Sequence, residues 1–190
     1  ASLANGASLL TLMAMVSFKQ DERDGDFLNK PRALQNLPRQ NPLRALLEGW
    51  AECSGKYDPE KLSPLLQKAV SNRFFLVENK PGSPTFVVRD VGNGYSRSAE
   101  YWLSKAIGHR VEDQPDHAYG KWLAEVYANV LRTGTPSLDD VDAVITWPQQ
   151  PRISYRYQRL VMPFASTRDS TLLLSATVID SGIDLRVKPA

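Results

Sequence analysis

Residues 140–186 read DVDAVITWPQQPRISYRYQRLVMPFASTRDSTLLLSATVIDSGIDLR, three runs of strand character joined by two links of turn residues. Residues 141–147 alternate apolar and polar, and 172–179 are almost continuously apolar. Residues 153–164 are rich in aromatic and apolar side chains, among them Tyr155, Tyr157, Leu160, Val161, Met162 and Phe164. Each run has the length and composition of a β-strand, and the links 148–152 and 165–170 carry the Pro, Gln, Ser, Arg and Asp of turns. Large apolar residues occupy both parities of the second and third runs, so the sheet is expected to be covered on both faces.

Outward from this core, the preceding segment is the best helix signal in the chain. Asp116 is placed to cap it, and Tyr119, Trp122, Leu123, Val126, Tyr127, Val130 and Leu131 form one apolar stripe. Gly134 and Pro136 end it. Further upstream, two short strands at 74–78 and 85–90 flank the turn Lys80-Pro81-Gly82-Ser83-Pro84 and read as a hairpin. A helical stretch with Tyr101, Trp102 and Leu103 follows over 96–107. Before the hairpin, Pro42 opens a helix through Leu43, Leu46, Leu47 and Trp50, and Asp58-Pro59 opens another carrying Leu62, Leu65, Leu66 and Val70. The economical assembly is α+β, a five-stranded antiparallel sheet with helices on one face.

Residues 1–44 are expected to be an N-terminal extension and 45–190 the domain. Within the extension, 7–18 carries Leu9, Leu12, Met13 and Val16 at helical spacing. This run is expected to dock on the domain's own sheet or to serve a dimer or partner contact. It is too short to span a bilayer, and no positive charge precedes it as in a signal peptide. Residues 21–41, with Pro31 and Pro38, read as an irregular connector.

Composition narrows the classes. The chain has 190 residues, 42% hydrophobic and 23% charged, ordinary for a globular domain. A net charge of +2, with Lys and Arg scattered, gives no argument for nucleic acid or an anionic membrane. One cysteine, Cys53, excludes an intrachain disulfide and fits a reducing, cytoplasmic compartment.

The order of elements is also that of PAS domains, and local features resemble them. Phe86-Val87-Val88-Arg89-Asp90-Val91-Gly92 looks like their second strand and its exit. Ile107-Gly108-His109-Arg110-Val111-Glu112-Asp113 resembles the step before their long helix, and Arg132-Thr133-Gly134-Thr135-Pro136 that helix's end. Residues 157–164 and 172–180 look like the last two strands, with Asp180 at the exit-motif position, although Ser181 and Gly182 follow it. Trp50 and Asp58-Pro59-Glu60 bring the chain nearest to a bacterial PAS branch that opens with a Trp-bearing helix. The resemblance covers roughly residues 45–187. It implies a sensory or docking module with a small cavity between the long helix and the sheet, no catalytic residues, frequent homodimers, and a signal leaving through the C-terminal strand near Asp180. Any output is then expected in a protein partner or an effector domain outside these residues.

Cofactor chemistry finds little in the sequence. Flavin–cysteine photochemistry in such domains needs a cysteine near the long helix, and residues 54–190 contain none. Haem would depend on His109 or His117, and one histidine without a second indicator is a surface or capping residue. Glu112, Asp113, Asp116 and His117 crowd a helix start, where acids are favoured by the helix dipole rather than by a metal. Asp139, Asp140 and Asp142 read as turn and solvent-face residues. There is no phosphate loop and no nucleophile elbow.

The remaining expectation is an apolar pocket walled by Trp102, Trp122, Val126, Tyr127 and Val130 from the helices and Tyr157, Leu160, Met162 and Leu174 from the strands. The same residues would equally make a filled core, leaving a docking scaffold. A small cone-shaped α+β enzyme of isomerase or dehydratase type is the rival, with Asp113, Asp142 or His117 as base.

Overall fold

The computed structural model describes residues 25–165 and 169–186. Six strands form one sheet: β1 (Phe27–Arg32), β2 (Phe74–Asn79), β3 (Val87–Val91), β4 (Ser137–Thr146), β5 (Arg152–Ala165) and β6 (Thr171–Ile179). Their spatial order is β1-β4-β5-β6-β2-β3, and every neighbouring pair is antiparallel. Among the described residues four α-helices complete the fold: α1 (Pro42–Glu52), α2 (Pro59–Val70), α3 (Arg97–Ser104) and α4 (His117–Thr133). Among the described residues no helix is long and apolar enough to cross a membrane.

The strands expected from the last third of the chain are present, and so is the 74–90 hairpin. Two features of the expected assembly are corrected. The sheet has six strands rather than five, because Phe27–Arg32 pairs with β4 from Phe27↔Ala143 to Arg32↔Leu138. The segment read as an irregular connector therefore belongs to the domain's sheet. Its proline is consistent with that place, since Pro31 lies on an edge strand, where a missing N–H costs no ladder bond. The helix over 7–18, with Leu9, Leu12, Met13 and Val16, lies outside the described residues.

The second correction concerns the layers. Helices cover both faces of the sheet, as the apolar residues at both parities of the second and third runs predict, and not one face as in the five-stranded assembly. Side chains alternate along a strand, so the even-numbered positions Leu138, Leu160, Met162, Phe164, Leu174 and Ala176 share one face. They bury against Leu43 and Leu46 of α1 and Leu62, Leu66 and Val70 of α2. The odd-numbered positions face α3 and α4: Val161 and Leu173 pack with Leu123, Tyr127 and Val130, while Val141, Ala143, Ile145 and Tyr157 pack with Leu103. The two parities of apolar residues in the sequence thus serve two separate cores.

Local chemistry fixes the helices to these faces. Asp58 accepts from the N–H groups of Glu60 and Lys61 at the start of α2, with Pro59 at the first helical position. The Trp50 indole donates to the Pro163 carbonyl at 2.7 Å and pins α1 across β5. Asp116 caps α4 through Tyr119 N–H at 3.2 Å, and its other oxygen accepts from Thr146 N–H at 2.9 Å, tying the helix start to the end of β4. Gly120 allows α4 to approach the turn before it, since a Cβ there would lie 2.4 Å from the Val111 carbonyl oxygen.

Candidate functional site: a cavity between α4 and the sheet

A cavity of about 280 Å³ lies between the odd-numbered face of the sheet and the two helices that cover it. β5 contributes Tyr155, Tyr157 and Arg159, and β6 contributes Ser175, Thr177 and Ile179. Their register places Arg159 opposite Thr177 and Tyr157 opposite Ile179, so these side chains stand as neighbours on one face. From the helical side come Leu103 of α3 and Tyr119, Leu123 and Tyr127 of α4. Gly94, Tyr95 and Ser96 close one side, and Gln114, just ahead of α4, closes another. The wall is mostly apolar and aromatic, with a few polar groups converging on it, the usual make-up of a small-molecule site.

The polar groups are distinctive. Arg159 is 1% exposed, the largest of the fully buried side chains. Its Nη2 reaches Asp139 at 3.4 Å, and its guanidinium sits 4.7 Å from the centre of the Trp122 ring. Its Nε and Nη1 have no hydrogen-bond partner among the described residues. Gln114 is 3% exposed, and neither its amide nitrogen nor its amide oxygen has one. The half-buried Arg73 also lines the cavity and leaves its Nε unbonded. No aspartate or glutamate is among the lining residues.

The tyrosines supply neutral hydroxyls. Tyr119 and Tyr157 share a hydrogen bond of 2.8 Å between their oxygens. Burial raises the Tyr119 pKa well above the ordinary phenol value. Burial raises that of Tyr157 as well, with the Arg159 charge acting in the opposite sense. Tyr127 is pushed up to about 12 by burial, and burial raises Tyr95 further. All four remain protonated at neutral pH. Burial works against the Arg159 charge, but the oxygens of Tyr157 and Asp139 outweigh it and leave its pKa above the ordinary value. The cavity therefore holds fixed positive charge beside hydroxyl donors.

Of the pocket walls expected from sequence, Tyr127 and Tyr157 line this cavity. Trp122 stands behind Arg159 and, with Val126, borders a separate surface groove near β1. Trp102 packs at the edge of the α3 core beside Tyr101, and Val130 is buried under α4. Leu160, Met162 and Leu174 point to the opposite face, into the α1 and α2 core, because their parity is even. Asp180 ends β6, where its N–H donates to the Arg156 carbonyl and its carboxylate accepts from Gly182 N–H.

The groups nominated for catalysis or metal lie elsewhere. Asp113 is bridged to Arg110 on the surface, and the Arg110 guanidinium lowers its pKa. His117 Nδ1 is hydrogen-bonded to the Glu112 carbonyl at 2.8 Å on an exposed helix start. Asp142 is fully buried on the even-numbered face, where Arg156 and Arg186 hold it. Cys53 closes α1 on that same side, and burial raises its pKa. Among the described residues no group of three or more His, Cys, Asp or Glu side chains could hold a metal ion.

Sequence reasoning missed most of the lining, including the walls Tyr95, Leu103, Tyr119 and Tyr155 and the polar groups of Arg159, Arg73 and Gln114. Arg159 did leave a signal: a charge at the same parity as Tyr155, Tyr157 and Val161 must enter the core if they do. Gln114 left none. No family model matches the chain, and no curated protein or solved structure matches it.

Proposed function

We propose that this chain is a sensory or regulatory module of PAS type in bacterial signalling, which binds a small molecule in the cavity between α4 and the sheet. The observation that carries the reading is the cavity itself, about 280 Å³ with aromatic walls and unsatisfied buried donors. It lies between the long helix and the sheet, where the resemblance to PAS domains puts a ligand. The chain order of β2 through β6, two strands, helices, a long helix and three strands, supports the same reading. So does the course of β6, which carries Ser175, Thr177 and Ile179 past the cavity and ends next to Asp180, the expected signal exit. Asp113, Asp142 and His117 stand away from the cavity, which favours binding over catalysis by any of these three as a base.

Self-association through residues 7–18 belongs to the same proposal; a chain lacking residues 1–20 should scatter light as a monomer, and an unchanged dimer would remove that part.

The cavity reading is tested by filling it. Ala99 of α3 lines the cavity and is 4% exposed, so Ala99→Phe projects a ring into the space. Thermal unfolding is followed with a panel of small aromatic molecules, charged and neutral. The wild type should be stabilised by at least one of them and Ala99→Phe by none. Equal stabilisation of both proteins, or of neither, would overturn the reading.

A further inference from the structure

Resting on that reading, we infer that the natural ligand is a small organic anion, one aromatic ring or a body of similar size bearing a carboxylate, whose acid group is held by Arg159. An apolar cavity of about 150 Å³ holds a benzene ring, so 280 Å³ accommodates one ring with a short acidic side chain. The charge balance sets the sign of the ligand. Two arginines line the cavity, and no carboxylate does. Asp139 meets Arg159 at 3.4 Å, a long contact, and shares its charge with the Asn29 amide at 3.2 Å. Arg159 thus keeps open donors in a place water reaches poorly. Such donors are retained at a cost to the folded state unless something accepts their hydrogen bonds.

A carboxylate suits the guanidinium fork in both charge and shape. Gln114 is the second, independent observation. Its amide is buried, lines the same cavity and has neither its donor nor its acceptor engaged among the described residues. A ligand with an acid oxygen and one further polar atom satisfies both side chains. The aromatic walls of Tyr127, Tyr155 and Trp147 cover the apolar body.

The test is calorimetric titration of the full chain with phenylacetate and with its neutral match, phenylacetamide. The two differ in charge and hardly in shape. Phenylacetate should bind at least about tenfold more tightly, the scale of one charge-assisted hydrogen bond. In Arg159→Met that ratio should fall to about one. Gln114→Leu should weaken phenylacetate several-fold while leaving the preference for the anion in place. Equal affinity of the two probes for the wild type overturns the anion inference and leaves the cavity reading standing. If neither probe binds and none of the small aromatic panel stabilises the wild type, both fall together. The wild-type comparison needs no variant, so a poorly folding Arg159→Met does not shelter the proposal.

Discussion

Arg159 and Glu78 are both buried charges on this sheet, and the fold treats them in opposite ways. Glu78 is fully engaged: Ser170 donates to one oxygen at 2.7 Å, and Arg89 pairs with the other. The Ser170 hydrogen bond and then the Arg89 contacts lower its pKa below the ordinary 4.5. The ionised form therefore favours the folded state. That contribution is complete above about pH 4.5 and is lost as pH falls through the lowered folded value. Glu78→Gln should reduce stability at pH 7 by about 1–3 kcal/mol and flatten the acid limb of the stability curve below pH 4.5. Urea unfolding across that pH range checks it, and an unchanged acid limb would assign acid sensitivity to other groups. Arg159 is only partly engaged, but its one ion-pair partner is the buried Asp139, and removing one member of a buried pair leaves the other charge uncompensated. Ligand-free Arg159→Met should therefore lose about 3–5 kcal/mol of stability, measurable by urea unfolding. An unchanged midpoint would show that the Asp139 carboxylate is satisfied without Arg159.

The elements are joined at a few two-way contacts, and these set where the sheet can be broken. Asp116 both caps α4 and accepts the Thr146 N–H of β4. Asp116→Ala should cost about 2 kcal/mol, the sum of a lost cap and an orphaned backbone donor, measurable by chemical unfolding. β1 is held at its start by Phe27, whose ring lies 5.6 Å from Tyr119 and 5.8 Å from Trp122. Helices and inner strands were legible in the sequence because capping residues and apolar periodicity are local signals. Asp58-Pro59, Asp116 and Gly134 stand where their types indicate. β1 was not legible. Leu28, Asn29, Lys30 and Pro31 have little strand preference, and the segment pairs only because Phe27 finds a surface made by α4, 90 residues later in the chain. Little of the pocket membership was legible, for a similar reason. Tyr127 and Tyr157 were within reach of periodicity, but which parity of β5 faced α4 depends on the helices that cover each face. Leu160, Met162 and Leu174, offered as walls together with Tyr157, stand on the other face because the sequence does not show which parity turns toward α4.

At the scale of the fold, β6 connects the cavity to residues 180–186. After β6 the chain turns at Asp180 and returns to the sheet, where Arg186 donates to the Gly25 carbonyl at 2.7 Å, the Asp26 carbonyl at 2.9 Å and the Asp142 carboxylate at 3.0 Å. Arg156 adds contacts to Asp142 and Asp184. Residues 180–186 thus link the end of a cavity-lining strand to the start of β1. Arg186→Ala should speed amide hydrogen exchange in 180–186 and at the β1 end while leaving α1 and α2 unchanged. Uniform acceleration would instead indicate global destabilisation. The most direct measurement on the whole account is mass spectrometry of the intact chain, first under native and then under denaturing conditions, with phenylacetate added where no ligand is carried. A small acid retained in the native spectrum and released on denaturation is the predicted result, and its loss in Ala99→Phe locates it in the cavity. A native spectrum showing the bare chain, unchanged by phenylacetate, contradicts the account and leaves the aromatic cavity as core.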